Sequence, residues 1–351
     1  MRLFSPKSKH YIGLDVSTTA VKLVELQKQA GRLHLKTYGV EPLEPGWVVD
    51  KNIVNDEEVA DAIARLVKRC GVSTKEAATA VSGSAVITKI IDMEANLSDT
   101  DREAQIKLDA EQYIPYPLTE VNLDFEVLGP SKVGDHLVRV LLAASRSDNV
   151  DQRVSVLSIG GVTTKVMDIE SHAIERAFAL SLDNLPNDPQ IVALVDIGHK
   201  QTTLYIAKDG EFIYNREQNF GGEQLTEAIQ ARYGLSYSEA TEGKMSYNLP
   251  ADYNETVLMP FIENTVQQIS RSLQFYFSSS EYNNVDHIVL CGGASALPGL
   301  AEQIQERVGS MVSIANPFDG MSISNRIDSS ALRKDAPSLM VACGLALRSF
   351  D

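Results

Sequence analysis

Cysteine and histidine are scarce in this sequence, and their scarcity excludes whole classes of protein. The chain has 3 cysteines among 351 residues, and they are Cys70, Cys291 and Cys343. An odd number at these spacings fits neither a zinc site nor a disulfide framework, so we expect free thiols in a reducing cytoplasm. The 6 histidines are scattered and form neither an HExxH motif nor a His/Cys cluster. The pattern therefore excludes a zinc enzyme and a disulfide-stapled secreted domain.

Long apolar runs and an excess of positive charge are also missing. No segment approaches the roughly 18 apolar residues that a membrane helix needs. The basic residues of the N-terminal "MRLFSPKSKHYIG" are not followed by the apolar core of a signal peptide. The net charge of −15 at pH 7 repels a phosphate backbone. We expect no nucleic-acid binding and no direct membrane insertion, so a membrane role would need a partner that recruits the protein.

Two common nucleotide-binding motifs are absent as well. There is no GxxxxGK[ST], which excludes a P-loop NTPase, and no GxGxxG follows a predicted strand. What remains is the composition of a globular protein, 44% hydrophobic and 23% charged, long enough for two domains. Strand and helix patterns alternate along the chain, and the sequence therefore predicts an α/β fold.

One unit occurs twice in the sequence. A strand ends on Asp15, passes through a short polar loop and resumes as a second strand in "YIGLDVSTTAVKLVEL". The stretch "IVALVDIGHKQTTLYIA" repeats this order around Asp196. Chance similarity of two strand-turn-strand units is the alternative, but a unit repeated in both halves is typical of duplicated domains.

The rest of the chain predicts one domain interrupted by another. Residues 86–150 read as a strand, a helix with Ser98 as its N-cap and two further strands, which we interpret as an inserted interaction subdomain. We assign residues 1–85, 151–190 and 335–351 to the first domain and residues 191–334 to the second. A helix near the C-terminus, "APSLMVACGLALRSF", would then return to the first domain.

Three loops follow predicted strands, and their chemistry suits a nucleotide. They are "DVSTT", "DIGHKQT" and "CGGASALPG". Ligands of α/β proteins bind at the carboxyl ends of strands. Exposed backbone N–H groups can cradle phosphate oxygens, whereas the aspartates require Mg²⁺, usually with its waters, between themselves and a phosphate. The double glycine of the third loop lets the backbone approach a flat ring.

The ordered set of loops, with the "GGEQLT" helix between the second and third, resembles the actin/Hsp70/sugar-kinase nucleotide-binding fold. The resemblance implies two duplicated domains that close on ATP and Mg²⁺. Lys22 matches a lysine that reaches the phosphates in actin-like members. The implied nucleotide-binding residues are Asp15, Ser17, Thr18, Thr19, Lys22, Asp196, Gly198, Lys200, Thr202, Gly221, Gly222, Lys244, Gly292, Gly293, Ala294 and Leu297. Asp15 and Asp196 are the implied Mg²⁺ residues, acting through water.

Three further stretches are similar to the PilM family of type IV pilus assembly proteins and its relative FtsA. They are "VEPLEPGWVVD", "AEQYIPYPLTEVNLDFEVLG" and "MVACGLALRS". FtsA carries a C-terminal amphipathic membrane helix, and the ending "ALRSFD" favours PilM. The resemblance implies a cytoplasmic ATP-binding scaffold, with an FtsA-type inserted subdomain, that docks on the cytoplasmic N-terminal tail of PilN and serves twitching motility. It also implies a link to the pilus motor ATPases and allows a homo-oligomer.

The sequence departs from the resemblance at several positions. Ser17 stands where many relatives have glycine, and Thr241 replaces the glutamate that contacts the ribose. No water-positioning residue is evident after "LLAAS", where Arg146 and Asp148 are the nearby polar residues. No catalytic residue is assigned, and because an oriented general base contributes about 10²–10⁴-fold, we expect slow turnover at best. A small-molecule kinase and a filament-forming FtsA-like protein remain as alternatives.

Overall fold

The computed structural model describes residues 10–182, 184–246 and 248–351. The strands are β1 (Ile12–Val16), β2 (Ala20–Gln29), β3 (Arg32–Pro42), β4 (Val48–Val49), β5 (Asn52–Ile53), β6 (Glu76–Val81), β7 (Val86–Glu94), β8 (Val121–Pro130), β9 (Leu137–Arg146), β10 (Thr163–Ile169), β11 (Ile191–Ile197), β12 (Thr202–Lys208), β13 (Glu211–Gln218), β14 (His287–Cys291), β15 (Met311–Ile314) and β16 (Ser322–Ile323). The α-helices are α1 (Asp56–Cys70), α2 (Asp99–Asp109), α3 (Ser147–Ile159), α4 (Glu170–Leu182), α5 (Gly222–Tyr233), α6 (Tyr237–Ser246), α7 (Met259–Ser279), α8 (Leu300–Val308), α9 (Ser329–Asp335) and α10 (Met340–Leu347).

Two sheets share one topology. The first has the order β10-β6-β1-β2-β3, extended at one edge by β16, and the second has the order β15-β14-β11-β12-β13. In each sheet the first three strands of this order are parallel, and the next two continue the sheet as an antiparallel meander. Parallel strands need crossover helices, and the intervening helices supply them. The repeated strand-aspartate-loop-strand pattern thus forms the central hairpin, β1–β2 or β11–β12, of each sheet.

Local sequence signals explain how α1 begins and ends. Three acidic residues, Asp56 to Glu58, occupy the first turn, and Lys68 and Arg69 occupy the last. These charges oppose the partial charges of the helix ends. Gly71 follows the helix in the left-handed conformation, with its N–H bonded to the Val67 carbonyl. The charge pattern and the glycine thus mark the two ends of α1 in the sequence.

Helices α4 and α10 join the two sheets into one core. A single cluster of buried apolar side chains includes Leu26 of β2, Phe178 of α4, Leu194 of β11 and Cys343 of α10. The backbones of the two helices are in close contact at Gly344 of α10. A Cβ atom added there would lie 1.7 Å from the carbonyl oxygen of Ala173 in α4. The C-terminal helix therefore packs against the first sheet and α4 at a place where only glycine fits.

A third sheet, β7-β9-β8, belongs to the predicted insert. Helix α2 covers one of its faces, where Met93, Ile106, Val140 and Leu142 form a small core. Ser98 caps α2 by accepting a hydrogen bond from the Asp101 N–H, as the sequence predicted. The β-α-β-β order expected from the sequence is confirmed.

The structure can be compared with the predictions about the thiols, the domain ranges and membrane helices. Cys70, Cys291 and Cys343 are free thiols, as predicted. Strand β16, which lies within the range assigned to the second domain, pairs in parallel with β3 of the first sheet. Across the described ranges, no helix is both long and apolar enough to span a membrane. The expectation about a signal peptide falls mainly on residues 1–9, outside the described residues.

Candidate nucleotide site

The two central hairpins place their aspartates in equivalent positions. Asp15 is the last residue but one of β1, and Asp196 is the last but one of β11. In the antiparallel register, Asp15 lies opposite Lys22, and Asp196 lies opposite Thr203. Asp15 and Asp196 belong to one charged cluster, since Asp15 and Lys22 both act electrostatically on Asp196. The two hairpins thus bring together the residues predicted from the repeat.

The first loop connects β1 to β2 through Ser17, Thr18 and Thr19. Asp15 is buried, and its Oδ2 atom lies 3.2 Å from the Nζ atom of Lys22. Both the N–H and the hydroxyl of Ser17 donate to the Ala20 carbonyl, at 3.0 and 2.8 Å. Both donors of Ser17 are thus used inside the loop, so Thr18 and Thr19 are the loop residues left to contact a phosphate.

The second loop is braced by the start of α5. The Gly198 N–H donates to the Gln201 carbonyl at 2.9 Å, and the Gly222 N–H donates to the Gly198 carbonyl at 3.0 Å. Thr202 is buried, and its hydroxyl donates to the Phe220 carbonyl at 2.7 Å. Through this bond the Thr202 side chain stabilises the conformation of the second loop.

Lys200 of the second loop reaches toward the first half of the molecule. Its Nζ atom lies 3.6 Å from Oδ1 of Asp50, in the turn between β4 and β5, and 3.9 Å from Oε1 of Glu223. The pair with Asp50 is largely exposed, so its direct contribution to stability is small. It nevertheless shows that the second loop and the β4–β5 turn meet.

Asp196 is the residue of the cluster that needs a cation most. Burial raises the pKa of its carboxyl group, and the charges of Glu170 and Asp15 act in the same direction, while those of Lys51 and Lys22 oppose it. The part of the chain that the structure describes holds no group of three or more His, Cys, Asp or Glu residues suited to a metal ion. Two carboxylates with few other ligands fit Mg²⁺, which usually keeps several waters. Asp15 and Asp196 would hold it, and its charge would neutralise the phosphates.

The third loop lies against the second. Gly292 has a φ of +91°, and a Cβ atom there would lie 2.4 Å from Oδ1 of Asp196, so only glycine fits. The Ala294 N–H donates to the Ile197 carbonyl at 3.0 Å. A Cβ atom on Gly293 would meet nothing within 4 Å, which leaves open space beside that residue. Leu297 is half-buried against the second core. The predicted adenine-side residues therefore adjoin the second phosphate loop.

Helices α5 and α6 complete this side of the site. Gly221 begins α5 as its N-cap, with its N–H bonded to the side chain of Gln224 at 2.8 Å. The Nζ atom of Lys244 in α6 donates to the Thr226 hydroxyl at 2.7 Å and lies 3.4 Å from the Gly222 carbonyl. Burial lowers the pKa of Lys244. The ammonium group is thus held at the start of α5, beside the glycines that the sequence singled out.

Three charged residues of the cluster were missed by the sequence reasoning. Glu170, at the start of α4, lies 2.6 Å from the Nζ atom of Lys51. Burial opposes the charge of Lys51, but Glu170, Asp196 and Glu217 outweigh it and raise the pKa of Lys51. Arg153 of α3 is buried and donates to the Lys51 carbonyl at 2.8 Å. Arg146 and Asp148, the polar residues that follow "LLAAS", pair with each other at 2.6 Å on the surface.

Two of the missed residues, Glu170 and Lys51, occupy positions with a recognisable local signal. Glu170 follows β10 directly, and β10 is parallel to β6, which is in turn parallel to β1. The carboxyl ends of the three strands therefore share one edge of the sheet, where ligands bind. Asp50 and Lys51 form a two-residue hairpin turn with φ of 48° and 64°. Such a turn favours Asn-Gly or Asp-Gly, and a lysine in this conformation is uncommon.

Two sheets of identical topology, joined by α4 and α10 and carrying paired aspartate hairpins, define an actin-like fold. The chain belongs to the family described as type IV pilus assembly protein PilM, which it matches over residues 13–350. The fold and the family expected from the sequence are both confirmed.

Solved structures and curated proteins agree with this placement. The chain is 28% identical to a chain of a "PilM-PilN type IV pilus biogenesis complex", with a TM-score of 0.81 over 98% of this chain and 99% of that one. The ethanolamine utilization protein EutJ from Carboxydothermus hydrogenoformans shares the fold at 16% identity and a TM-score of 0.59, over 99% of this chain and 91% of that one.

Cell division protein FtsA is similar in sequence. The Bacillus subtilis (strain 168) protein is 22% identical over 354 residues, which cover 88% of this chain and 78% of FtsA. The Enterococcus faecalis (strain ATCC 700802 / V583) protein is 27% identical over 135 residues. That second match spans 32% of this chain and 31% of the relative.

Proposed function

We propose that this chain is a nucleotide-binding scaffold of a type IV pilus assembly complex. The observation that carries the proposal is the charged cluster at which the two equivalent hairpins meet. Asp15 and Lys22 come from one hairpin and Asp196 from the other, and a ligand bound to both would hold the halves together. ATP with Mg²⁺ suits this arrangement, since phosphate needs N–H groups and cations while the two aspartates need a metal ion.

Each loop would contact a different side or part of the nucleotide. Thr18, Thr19 and Lys22 would contact the phosphates from one side, and Gly198 and Lys200 from the other. The open space beside Gly293 would receive the adenine ring, with the start of α5 and Lys244 near the ribose. Calorimetry with Mg-ATP and with ATP plus EDTA tests this proposal, and equal affinity under both conditions would contradict the metal assignment.

Slow hydrolysis is part of the proposal. Glu170 is the carboxylate beside the cluster that could orient a water, but it lies 2.6 Å from the Lys51 ammonium. The ion pair occupies one of the two carboxylate oxygens, so the Lys51 ammonium competes with a water for this group. We expect little ADP release in steady state. Rapid release that depends on an added small-molecule acceptor would instead identify a kinase.

The partner we propose is the cytoplasmic N-terminal tail of a PilN-type membrane protein. The similar solved structure is described as a PilM-PilN complex, and the tail would bring this chain from the cytoplasm to the inner membrane. The insert offers a place for it. Among the described strands, β7 pairs only with β9, so its other edge has unpaired N–H and C=O groups. An extended peptide can add to such an edge.

Residue Ile90 of β7 provides a sharp test of this docking site. Its side chain is 52% exposed, and Ile213 of β13, an edge strand of the second sheet, is 48% exposed. A glutamate at position 90 would repel an apolar peptide side chain without disturbing a core. Fluorescence polarisation of a labelled PilN tail measures the binding. We expect micromolar affinity, because the interface would be smaller than about 1,200 Å².

The expected outcome separates the insert from the rest of the molecule. Ile90→Glu should weaken tail binding at least tenfold, whereas the matched Ile213→Glu and the cleft variant Asp196→Ala should bind the tail normally. Equal loss in Ile90→Glu and Ile213→Glu would mean that the tail binds elsewhere. Contact with the pilus motor ATPases, which we also propose, would require a further surface.

The similarity to FtsA keeps a filament-forming role as a second candidate. Filaments would use this chain as its own partner, and the insert would then mediate self-association. Sedimentation of the purified chain with Mg-ATP separates the two proposals. A pellet that forms only with nucleotide, and that forms less in Ile90→Glu, would favour filaments over a scaffold.

A further inference from the structure

A polar pocket of about 230 Å³ lies beside the charged cluster. Three segments line it, namely the β4–β5 turn, the end of β6 with the residues that follow it, and the first two turns of α3. Its volume is far above the roughly 10–15 Å³ that a single water needs. The pocket is therefore large enough for a small ion with its hydration.

The pocket contains a buried positive charge without an ion pair. Arg153 is 5% exposed, and its Nη2 atom donates to the Lys51 carbonyl at 2.8 Å. Its Nη1 atom is buried without a hydrogen-bond partner. Glu170 and Asp15 act on this guanidinium electrostatically, but no carboxylate of the described residues lies within 4.0 Å of it. Buried charges are normally paired, so an anion from solution is the simplest partner for Arg153.

The start of α3 adds a second attraction for an anion. No side chain caps this 13-residue helix, so its first N–H groups lack that partner, and Asn149 of its first turn lines the pocket. The N-terminus of a helix attracts anions through these groups and through the helix dipole.

Hydroxyl groups and the remaining charges complete the lining. Ser82 and Ser84 line the pocket with their Oγ atoms 2.9 Å apart, so one hydroxyl donates to the other and the second is left to donate to an anion. The acidic residue of the lining, Asp50, lies 3.6 Å from the Nζ atom of Lys200. Lys51, also in the lining, is paired with Glu170. Arg153 thus remains as the unpaired charge.

We propose that this pocket is a subsite for a phosphate-class oxyanion, held by Arg153, the start of α3 and one hydroxyl of the pair Ser82 and Ser84. The inference does not depend on nucleotide binding, since each group belongs to the pocket itself. The oxyanion could be inorganic phosphate or the terminal phosphate of a nucleotide, because both present the same oxygens to the guanidinium.

Phosphorus NMR titration with inorganic phosphate, at constant ionic strength and without nucleotide, tests the subsite. We expect saturable binding of one phosphate per chain. Arg153→Met should weaken it at least tenfold. Ser84→Asp should do the same, because Ser84 is an exposed position of the lining where a carboxylate can pair with Arg153. Ser158→Asp adds the same charge at an exposed position of α3 outside the lining and should bind phosphate normally.

Two further measurements identify the source of the oxyanion. If it is free phosphate, Ser84→Asp should leave the affinities for ADP and ATP unchanged. If it is the terminal phosphate of a nucleotide, Ser84→Asp should lower the affinity for ATP but not the affinity for ADP. A wild-type chain that binds no phosphate, or equal phosphate binding by wild type and Ser84→Asp, would overturn the proposal. Loss of PilN-tail binding in Ser84→Asp without phosphate binding by wild type would also overturn it and assign the pocket to a peptide.

Discussion

At the scale of single residues, the two equivalent aspartates, Asp15 and Asp196, lie in different electrostatic surroundings. Asp15 is buried beside Lys22, which balances its charge. Asp196 lies opposite Thr203 and next to the buried Cys291 thiol, and burial raises the pKa of its carboxyl group. Asp196 therefore gains more from a bound cation than Asp15 does.

We expect Asp196→Ala to reduce Mg-ATP affinity by about tenfold or more, which corresponds to at least 1.4 kcal/mol. The carboxylate that holds the metal would be missing, while removal of a desolvated charge should not harm the fold. Calorimetry measures the affinity, and Asp148→Ala, at an exposed position, is the control. Unchanged Mg-ATP affinity in a folded Asp196→Ala protein would refute the metal assignment.

A second residue predicts how stability depends on pH. Glu25 is fully buried in β2. Burial alone would raise its pKa, but hydrogen bonds from Ser73 and His10 and the charge of Lys36 outweigh burial and lower the pKa from 4.5. The folded state therefore favours the ionised form. This contribution is present above pH 4.5 and is lost as pH falls through the lowered pKa.

Glu25→Gln should accordingly destabilise the protein by roughly 1.5–3 kcal/mol at pH 7. The difference from wild type should shrink in acid, where the wild-type carboxylate becomes protonated. Urea unfolding at pH 7 and below pH 4.5 measures both values, with the exposed Glu126→Gln of β8 as control. A difference that grows in acid would contradict the assigned direction of the pKa shift.

At the scale of elements, the contact between α4 and α10 joins the first half of the chain to its end. The added Cβ atom at Gly344 would lie 1.7 Å from a carbonyl oxygen of α4, and backbone cannot yield as a flexible side chain can. The same helices contribute to the core that both sheets share. Spacing between these helices therefore affects the whole molecule.

We expect Gly344→Ala to destabilise the protein by about 3 kcal/mol or more, because overpacking forces the two helices apart. At Gly83, by contrast, an added Cβ atom meets nothing closer than 4.0 Å. Gly83→Ala should therefore change the free energy of unfolding by less than about 0.5 kcal/mol. Chemical unfolding of both variants measures these differences. Similar stability of the two proteins would mean that α10 packs less tightly than described.

At the scale of the whole molecule, a shared core and a divided ligand site link the two halves. The core cluster joins both sheets, and the ion pair between Lys200 and Asp50 joins the second loop to the β4–β5 turn. A ligand bound by both hairpins would stabilise the folded state by mass action, and it would do so for both halves together.

Mg-ATP at one hundred times its Kd should stabilise the folded protein by about 2.7 kcal/mol. We expect this as a rise in Tm by several degrees with a single unfolding transition, and EDTA should remove most of it. Differential scanning calorimetry provides the measurement. Two separate transitions, of which only one responds to Mg-ATP, would show that one half binds the nucleotide alone.

Much of this protein could be predicted from local sequence patterns. Strand and helix periodicity, the charges at the ends of α1 and the Ser98 cap act within a few residues of the chain, so they are readable before the fold is known. The two hairpins around Asp15 and Asp196 were predicted because an aspartate at a strand end, followed by small polar residues, is a local signal. The family resemblance extended these patterns to the actin-like fold.

The charged cluster itself was decided by the tertiary structure. Lys51, Arg153 and Glu170 lie on three separate elements, and no spacing in the sequence relates them. They meet because β1, β6 and β10 are parallel and end at the same edge, where α3, α4 and the β4–β5 turn also converge. Their pairing and the raised pKa of Asp196 depend on burial and on charges brought together across the fold. The sequence determined which hairpins could carry a ligand, and only long-range packing determined the charges around them, since electrostatic interactions depend on distance in space and not along the chain.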